Sequence, residues 1–157
     1  SGEVLAALKI QELAASGMPF KKVVREVEQF IYQMQTLFVL ESLDNLRKNG
    51  RLTRLQSVVT GTLKIKLLMG STPEGEICKR GQALSVKQAL SKMVSLMAAD
   101  PKHAGRRLAI THCNCLERAF YLKELALKQC RFEQVVISDT GGIATVYAND
   151  GGVVAAY

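Results

Sequence analysis

The sequence of 157 residues lacks a long unbroken apolar run. Its least charged stretch, residues 141–157, is interrupted by turn-forming residues, so it cannot supply the roughly 20 apolar residues of a membrane-spanning helix. The first residues also lack the basic segment and following apolar segment of a secretion signal. These absences predict a cytoplasmic protein.

Cysteine is scarce, with four residues, and charged residues make up only 22% of the chain. A chain of this length buries roughly 70% of the surface that its unfolded form exposes, so it does not need disulfides, and we expect reduced thiols. The hydrophobic fraction of 48% excludes intrinsic disorder. The composition therefore predicts one domain that covers residues 1–157.

What the chain does contain is an alternation of helical and strand periods. Helical spacing of apolar residues, with stop signals at Gly17 and Gly50 and before Pro101, predicts helices in residues 2–16, 18–31, 42–47, 53–59, 85–99 and 115–129. Short β-prone runs predict strands in residues 36–40, 63–69, 76–80, 107–111 and 133–138. The pattern is typical of an α/β domain whose helices pack on a mixed sheet, with one parallel crossover near its end.

The last seventeen residues combine very little charge with many glycines. Two β-prone runs flank Asn149-Asp150-Gly151-Gly152, whose residues tolerate the positive φ of a tight turn, and this pattern predicts a terminal β-hairpin. Gly141 and Gly142 carry backbone amides that no side chain shields. Such a segment could bind a ligand or form an ordinary sheet edge, and both interpretations stay open.

The segment His112-Cys113-Asn114-Cys115 contains side chains that bind zinc. No second pair of such residues occurs at ligand spacing, so we predict no metal site. Asn114 precedes Glu117 by the spacing of a capping box, which favours a structural role at the start of a helix. A nucleophilic Cys113 or Cys115, activated by the helix dipole, remains an alternative.

Catalytic motifs are absent from the sequence. There is no Ser-His-Asp set, no paired carboxylates and no HExxH motif, and neither His103 nor His112 has an evident catalytic partner. Residues 139–142 follow a strand but lack the lysine and the helix of a phosphate-binding loop. The sequence motifs therefore support neither a catalytic activity nor a cofactor.

Basic residues are dense at only one place, where Arg47, Lys48, Arg51 and Arg54 follow one another closely. Arg51 could bind a carboxylate or phosphate through two hydrogen bonds, or could simply be solvated. With Lys64 and Lys66 the cluster, in a chain of net charge +7, could bind nucleic acid. The lack of interleaved aromatic residues disfavours this alternative.

Four segments together resemble the C-terminal half of the DegV family. They are residues 43–52, which contain Asn49-Gly50-Arg51-Leu52, then residues 61–66, 110–112 and 139–157. The family consists of bacterial fatty-acid-binding proteins. The resemblance implies a carrier that holds an acyl chain and presents its carboxylate to a fatty acid kinase, which makes acyl phosphate for phospholipid synthesis.

The resemblance also implies that an N-terminal lobe is missing from this chain. In the family, that lobe supplies Ser and Thr hydroxyls to the carboxylate, and the acyl tunnel lies between the lobes. The chain is then a fragment or a single-lobe protein. It departs from the family at Tyr147, where many members have histidine, and at Leu84, where they have arginine.

The site residues follow from this resemblance. Burying some fourteen methylenes could contribute on the order of 10 kcal/mol before the costs of association, whereas a carboxylate left unpaired in the tunnel would be unfavourable. Arg51 and the Tyr147 phenol are the candidate carboxylate donors. The candidate wall residues are Leu63, Ile65, Ile143 and Val146. Without its second lobe, the chain should self-associate through the face that carries the terminal hairpin, or bind lipid weakly and without saturation.

Overall fold

The computed structural model describes residues 1–52 and 65–157, and its six strands form one sheet in the order β3-β2-β1-β6-β4-β5. Neighbouring strands are antiparallel except β4 and β5, which are parallel. The strands are β1 (Thr36–Val39), β2 (Lys66–Ser71), β3 (Ile77–Ala83), β4 (Arg107–His112), β5 (Gln134–Asp139) and β6 (Val153–Ala156).

Helices cover both faces of this sheet. They are α1 (Gly2–Ala15), α2 (Phe20–Gln33), α3 (Asp44–Lys48), α4 (Val86–Ala99), α5 (Leu116–Gln129) and α6 (Gly142–Ala148), with a short 3₁₀ turn at Pro101–His103. Their arrangement confirms the predicted α/β class, with helices packed on a mixed sheet. The parallel crossover is confirmed as well, because α5 joins β4 to β5.

The larger part of the core lies between the sheet and the pair α4 and α5. Met93 and Met97 of α4, Leu122 of α5, and Leu108 and Ile110 of β4 belong to one core cluster, and all five side chains are fully buried. Burying such a side chain contributes about 1.5–3 kcal/mol relative to leaving it in water. On the opposite face, α1 packs Leu5 against the sheet, and α2 packs on α1.

The predicted terminal β-hairpin is wrong. Residues 142–148 form α6, and only residues 153–156 form a strand. That strand does not pair with the segment before it but lies between β1 and β4. Within α6, Ala148 is buried and Tyr147 is partly buried against the core. This tertiary packing outweighs the β-propensity of the segment.

The other predicted elements agree with the structure to within a few residues. The first predicted hairpin is confirmed by the antiparallel pair β2 and β3. The predicted helix in residues 53–59 and the start of the predicted strand at residues 63–64 lie outside the described residues.

Candidate functional site

Strands β1, β4 and β5 run in the same direction and end at one edge of the sheet, which we call the carboxyl edge. Strands β2 and β6 begin at this edge because they are antiparallel to β1. Polar residues follow the ends of the strands: Glu41 after β1, His112 at the end of β4 and Asp139 at the end of β5. The carboxyl ends of strands are a common location for ligand sites in α/β folds.

Helices α3 and α6 lie side by side at the carboxyl edge. The side-chain amide of Asn45 donates a hydrogen bond of 2.7 Å to the carbonyl oxygen of Val146. Beneath the helices is an apolar cluster that contains Leu40, Leu46, Leu52, Met69, Cys113 and Ala148. The two helices therefore form one surface, on the sheet face opposite α4 and α5.

Two of the predicted wall residues lie on the open side of α6. The side chains of Ile143 and Val146 are 69% and 53% exposed and are three residues apart, which places them on the same side of the helix. Tyr147 is half-buried and packs on the apolar cluster beneath the helix. Tyr147 is four residues from Ile143, so α6 has an apolar outer surface with the half-buried phenol at its border.

The remaining predicted site residues lie near the same edge or outside the described ranges. Arg51 is exposed just after α3, and its backbone amide donates a hydrogen bond of 2.8 Å to the carbonyl of Leu46. Ile65 directly precedes β2 at the carboxyl edge and is 38% exposed. Leu63 lies outside the described residues. The structure thus brings the segments of Arg51, Ile65 and α6 to one edge of the sheet.

A tight turn, residues 149–152, attaches α6 to the end of β4. The amide of Gly151 donates to the carbonyl of Cys113, and the amide of Cys113 donates to the carbonyl of Gly152, both over 2.9 Å. Asn149 and Gly151 have positive φ, at 56° and 78°. A side chain at Gly152 would have its Cβ 2.3 Å from the carbonyl oxygen of Ala148. The turn therefore has no room for a side chain at residue 152, and its hydrogen bonds attach the end of α6 to the residue that follows β4.

Sequence reasoning missed an ion cluster behind this turn, formed by Glu41, Lys66 and Arg118, which we call the Glu41 cluster. Oε1 of Glu41 is 2.6 Å from Nη2 of Arg118, and Oε2 contacts Nζ of Lys66. Nη1 of Arg118 also donates to the carbonyl of Gly151 over 2.6 Å. The cluster therefore joins the end of β1, the start of β2, helix α5 and the turn after α6.

The Glu41 carboxyl group is ionised within this cluster. Burial by itself favours the neutral acid, but hydrogen bonds from Lys66 and Arg118 favour the carboxylate and lower the pKa of Glu41 below its ordinary value. No sequence motif links the three residues, since they are brought together only by the strand order. The spacing of the sequence could not have identified them.

The predicted capping role of Asn114 is wrong. Helix α5 begins after Cys115, which makes no side-chain cap. Asn114 lies before it with φ of 53°, and its amide donates a hydrogen bond of 2.9 Å to Oδ1 of Asp150. Asparagine tolerates this left-handed conformation better than most residues, which explains its presence here. It links the start of α5 to the turn after α6.

The histidine and thiols of this segment are buried. His112 is 4% exposed, and its Nδ1 lies 3.4 Å from Oδ1 of the exposed Asp139. The thiol of Cys115 donates a weak hydrogen bond to the carbonyl of Gly152, and burial raises its pKa above the ordinary value. This direction is opposite to that required of a thiolate nucleophile. Within the described ranges, no three His, Cys, Asp or Glu side chains converge as metal ligands would.

The basic residues are divided among several roles. Lys66 is neutralised by Glu41, and Arg47 makes an exposed ion pair of 3.4 Å with Asp44. Lys48 and Arg51 are exposed at the end of α3. Arg54 and Lys64 lie outside the described residues. Two of the basic residues proposed to bind nucleic acid, Arg47 and Lys66, are therefore paired with carboxylates of this chain.

One cavity lies away from the carboxyl edge. A cleft of about 780 Å³ lies at the opposite end of the sheet, lined by Tyr32, Thr72 and Arg80 among others, and takes no part in the carboxyl edge.

In residues 1–52 and 65–157, none of the helices has both the length and the apolar character that crossing a lipid bilayer requires.

Comparison with known proteins gives a consistent set of relatives. The model of the DegV family, described as an uncharacterised protein family, matches residues 1–157. A DegV domain-containing protein of Streptococcus gordonii is 29% identical over 157 residues, a match that covers 99% of this chain and 56% of that protein.

Two solved structures resemble the chain closely. A DegV family protein from Ruminococcus gnavus ATCC 29149, refined with vaccenic acid, is 48% identical with a TM-score of 0.92, covering 99% of this chain and 55% of that one. The fatty acid kinase B3 protein of Streptococcus pneumoniae, loaded with linoleic acid, is 27% identical with a TM-score of 0.84, covering 98% and 54%. The chain spans about half the length of these relatives.

Proposed function

Because the chain belongs to the DegV family, we propose that it forms the C-terminal lobe of a two-lobe protein that binds a long-chain fatty acid. The observation that carries the proposal is the match, at 48% identity over 99% of the chain, to a structure that was refined with vaccenic acid. The Streptococcus pneumoniae relative, loaded with linoleic acid, supports the same ligand class. Both ligands are long unbranched acids, so the proposed site must accept an acyl chain and a carboxylate.

The outer surface of α6 is the proposed wall for the acyl chain. Ile143 and Val146 present apolar side chains that nothing covers within the described residues, and Ile65 is partly exposed at the same edge. An acyl chain placed on this surface removes apolar area from water on both sides of the contact, at roughly 25 cal/mol per Å². A second lobe, supplied by the other half of a family-length protein, would close the tunnel.

Arg51 is the proposed partner of the carboxylate. Its side chain is exposed three residues after α3, the helix that contacts α6 through Asn45, and a guanidinium has the fork geometry that pairs with a carboxylate through two hydrogen bonds. Tyr147 is the second proposed donor because its phenol lies on α6, where the acyl chain would approach. Leu63 completes the proposed wall by its place in the sequence, next to Ile65.

We further propose that the protein is a carrier and not a catalyst, and that its partner is a fatty acid kinase. The name of the Streptococcus pneumoniae relative supports this partner. The raised pKa of Cys115 supports the absence of thiol catalysis. In this role, the lobe holds the acyl chain while the kinase transfers a phosphoryl group from ATP to the carboxylate that the protein presents.

The test is fatty-acid uptake by the full-length protein after its native lipid has been removed. Oleic acid, measured by calorimetry and native mass spectrometry, should bind with one-to-one stoichiometry. Ile143→Asn and Val146→Asn should each weaken binding about tenfold, since each removes roughly the burial of one aliphatic side chain. A protein that takes up no lipid would exclude the proposal.

Leu127→Asn is the matched control for these variants. Leu127 is 51% exposed, close to the value for Val146, but lies on α5 at the opposite face of the sheet. It should leave the affinity unchanged, and an equal loss in all three variants would show that α6 is not the wall.

The carrier role has its own test. With added ATP, the loaded protein should form acyl phosphate only when a fatty acid kinase is present. Product without kinase would contradict the carrier role.

A further inference from the structure

Helix α2 has an apolar surface that α1 covers only in part. Val23 and Val27 are buried against Leu13 of α1. Phe20, Val24 and Ile31 are 80%, 39% and 51% exposed. These three residues are four and seven positions apart, so at 3.6 residues per turn they form one stripe along the helix.

The charges on α2 run opposite to the order that a helix favours by itself. Lys21 and Lys22 lie in its first turn, Glu28 lies in its second half, and the helix has no acidic residue in the first turn and no basic residue in the last. The helix macrodipole favours the reverse arrangement. Neither Lys21 nor Glu28 makes an ion pair within the part of the chain that the structure describes. The helix alone does not account for this pattern.

A second copy of the same helix does account for it. When two identical helices pair antiparallel about a twofold axis, each flank faces the same flank of the partner. Lys21 and Glu28 lie on one flank of the apolar stripe, so Lys21 of each copy comes level with Glu28 of the other. Val24 then lies beside its own copy near the axis, and Phe20 lies close to Ile31. The pattern is self-complementary in both charge and apolar surface.

We propose that α2 is a self-association surface through which two copies of this chain pair antiparallel. The antiparallel arrangement also places the positive end of each helix dipole beside the negative end of the other. A single helix pair buries less than the roughly 1,600 Å² of a standard stable interface, so the dimer is weak and depends on concentration. This inference does not depend on the proposed fatty-acid function, because α2 does not contribute to the carboxyl edge.

The experiment is sedimentation equilibrium of the 157-residue chain at low ionic strength, over micromolar to millimolar concentrations. The chain should be in monomer–dimer exchange. Lys21→Glu and Glu28→Lys should each weaken self-association at least tenfold, because each variant places like charges opposite one another. A mixture of the two variants should form a heterodimer, since the charges then match across the interface. The double variant should regain the original dimer affinity.

Leu127→Asn and Glu124→Gln, both on α5, are the controls and should leave dimerisation unchanged, while circular dichroism verifies that every variant is folded. A chain that stays monomeric throughout, or a dimer that ignores the charge exchange, would overturn the proposal. Loss of the dimer in Val146→Asn alone would place the interface on the α6 face instead. If the full-length protein is monomeric where this chain dimerises, another lobe occupies α2 and the proposal is wrong for the whole protein.

Discussion

The carboxylate of Glu41 is the counter-charge for both Lys66 and Arg118 in the Glu41 cluster. Glu41→Gln would leave Lys66 and Arg118 close together without a counter-charge, and it would remove two charge-assisted hydrogen bonds. Because the Glu41 side chain is one-third exposed, water screens part of this effect, and we expect a loss of about 2 kcal/mol in unfolding free energy. Urea denaturation at neutral pH measures it, with Glu124→Gln as the exposed control that should change little.

The pH dependence of this difference has a definite sign. The pKa of Glu41 is lower in the folded chain than its ordinary value of 4.5, so the folded state favours the carboxylate. Its stabilising contribution is fully present above the unfolded pKa and is lost as the pH falls through the folded pKa. The stability gap between the natural chain and Glu41→Gln should therefore be constant near neutral pH and close below about pH 4.5. A gap that widens on acidification would contradict this account.

The spacing of a capping box corresponds to a helix cap at one of two places in this chain. The spacing of a capping box occurs at Asn114 with Glu117 and at Ser85 with Gln88. In the second case the backbone amide of Gln88 donates to the Ser85 hydroxyl over 3.2 Å, and the Gln88 side chain accepts from the amide of Leu84. In the first case the Asn114 side chain binds Asp150 instead, 36 positions away. A local pattern cannot show that a distant partner competes for the same side chain.

At the scale of elements, the turn after α6 determines where that helix lies. In Gly152→Ala the added methyl group would be 2.3 Å from the carbonyl oxygen of Ala148, so the helix or the strand must move. We expect a loss of at least about 2 kcal/mol in unfolding free energy, as for other overpacked sites. Gly141→Ala is the matched control, because its Cβ meets no atom within 4 Å and its φ of −123° suits any residue. Equal losses in the two variants would show that close packing at residue 152 is not the cause.

The sequence was sufficient to predict the long helices correctly, but it was not sufficient to predict that residues 142–148 form a helix. Helices α2, α4 and α5 are each fourteen residues long, so their apolar period repeats often enough to be recognised. Helix α6 has only seven residues, among them Ile143, Thr145 and Val146, whose branched side chains favour strands. Its helical form depends on packing against Leu46 and other residues far along the chain. The predicted site residues on α6 are exposed, but the element that carries them was assigned wrongly.

For the whole molecule, the role of Arg51 should depend on the second lobe. In the 157-residue chain its guanidinium is exposed, and water competes with any carboxylate, so an ion pair contributes little. In the full-length protein a covering lobe would exclude that water and strengthen the pair. Arg51→Ala should therefore lower oleic acid affinity about tenfold or more in the full-length protein and leave the weak binding of the isolated chain unchanged. Tight one-to-one binding by the isolated chain would show that the site lies within this lobe.

The strand order has a consequence for how the molecule reaches its fold. Strand β6 lies in the middle of the sheet, and Thr36 of β1 pairs with Ala156, so the pairing of β1 with β6 joins residues that lie about three-quarters of the sequence apart. Until residues 153–156 are in place, β1 and β4 each present an open hydrogen-bonding edge. Closing such a long loop has an entropy cost that must be met before the pairing stabilises the sheet, so we expect this pairing to form late in folding. The most aggregation-prone species during folding should be a pair of half-sheets, β1–β3 and β4–β5, each of which lacks the same central strand.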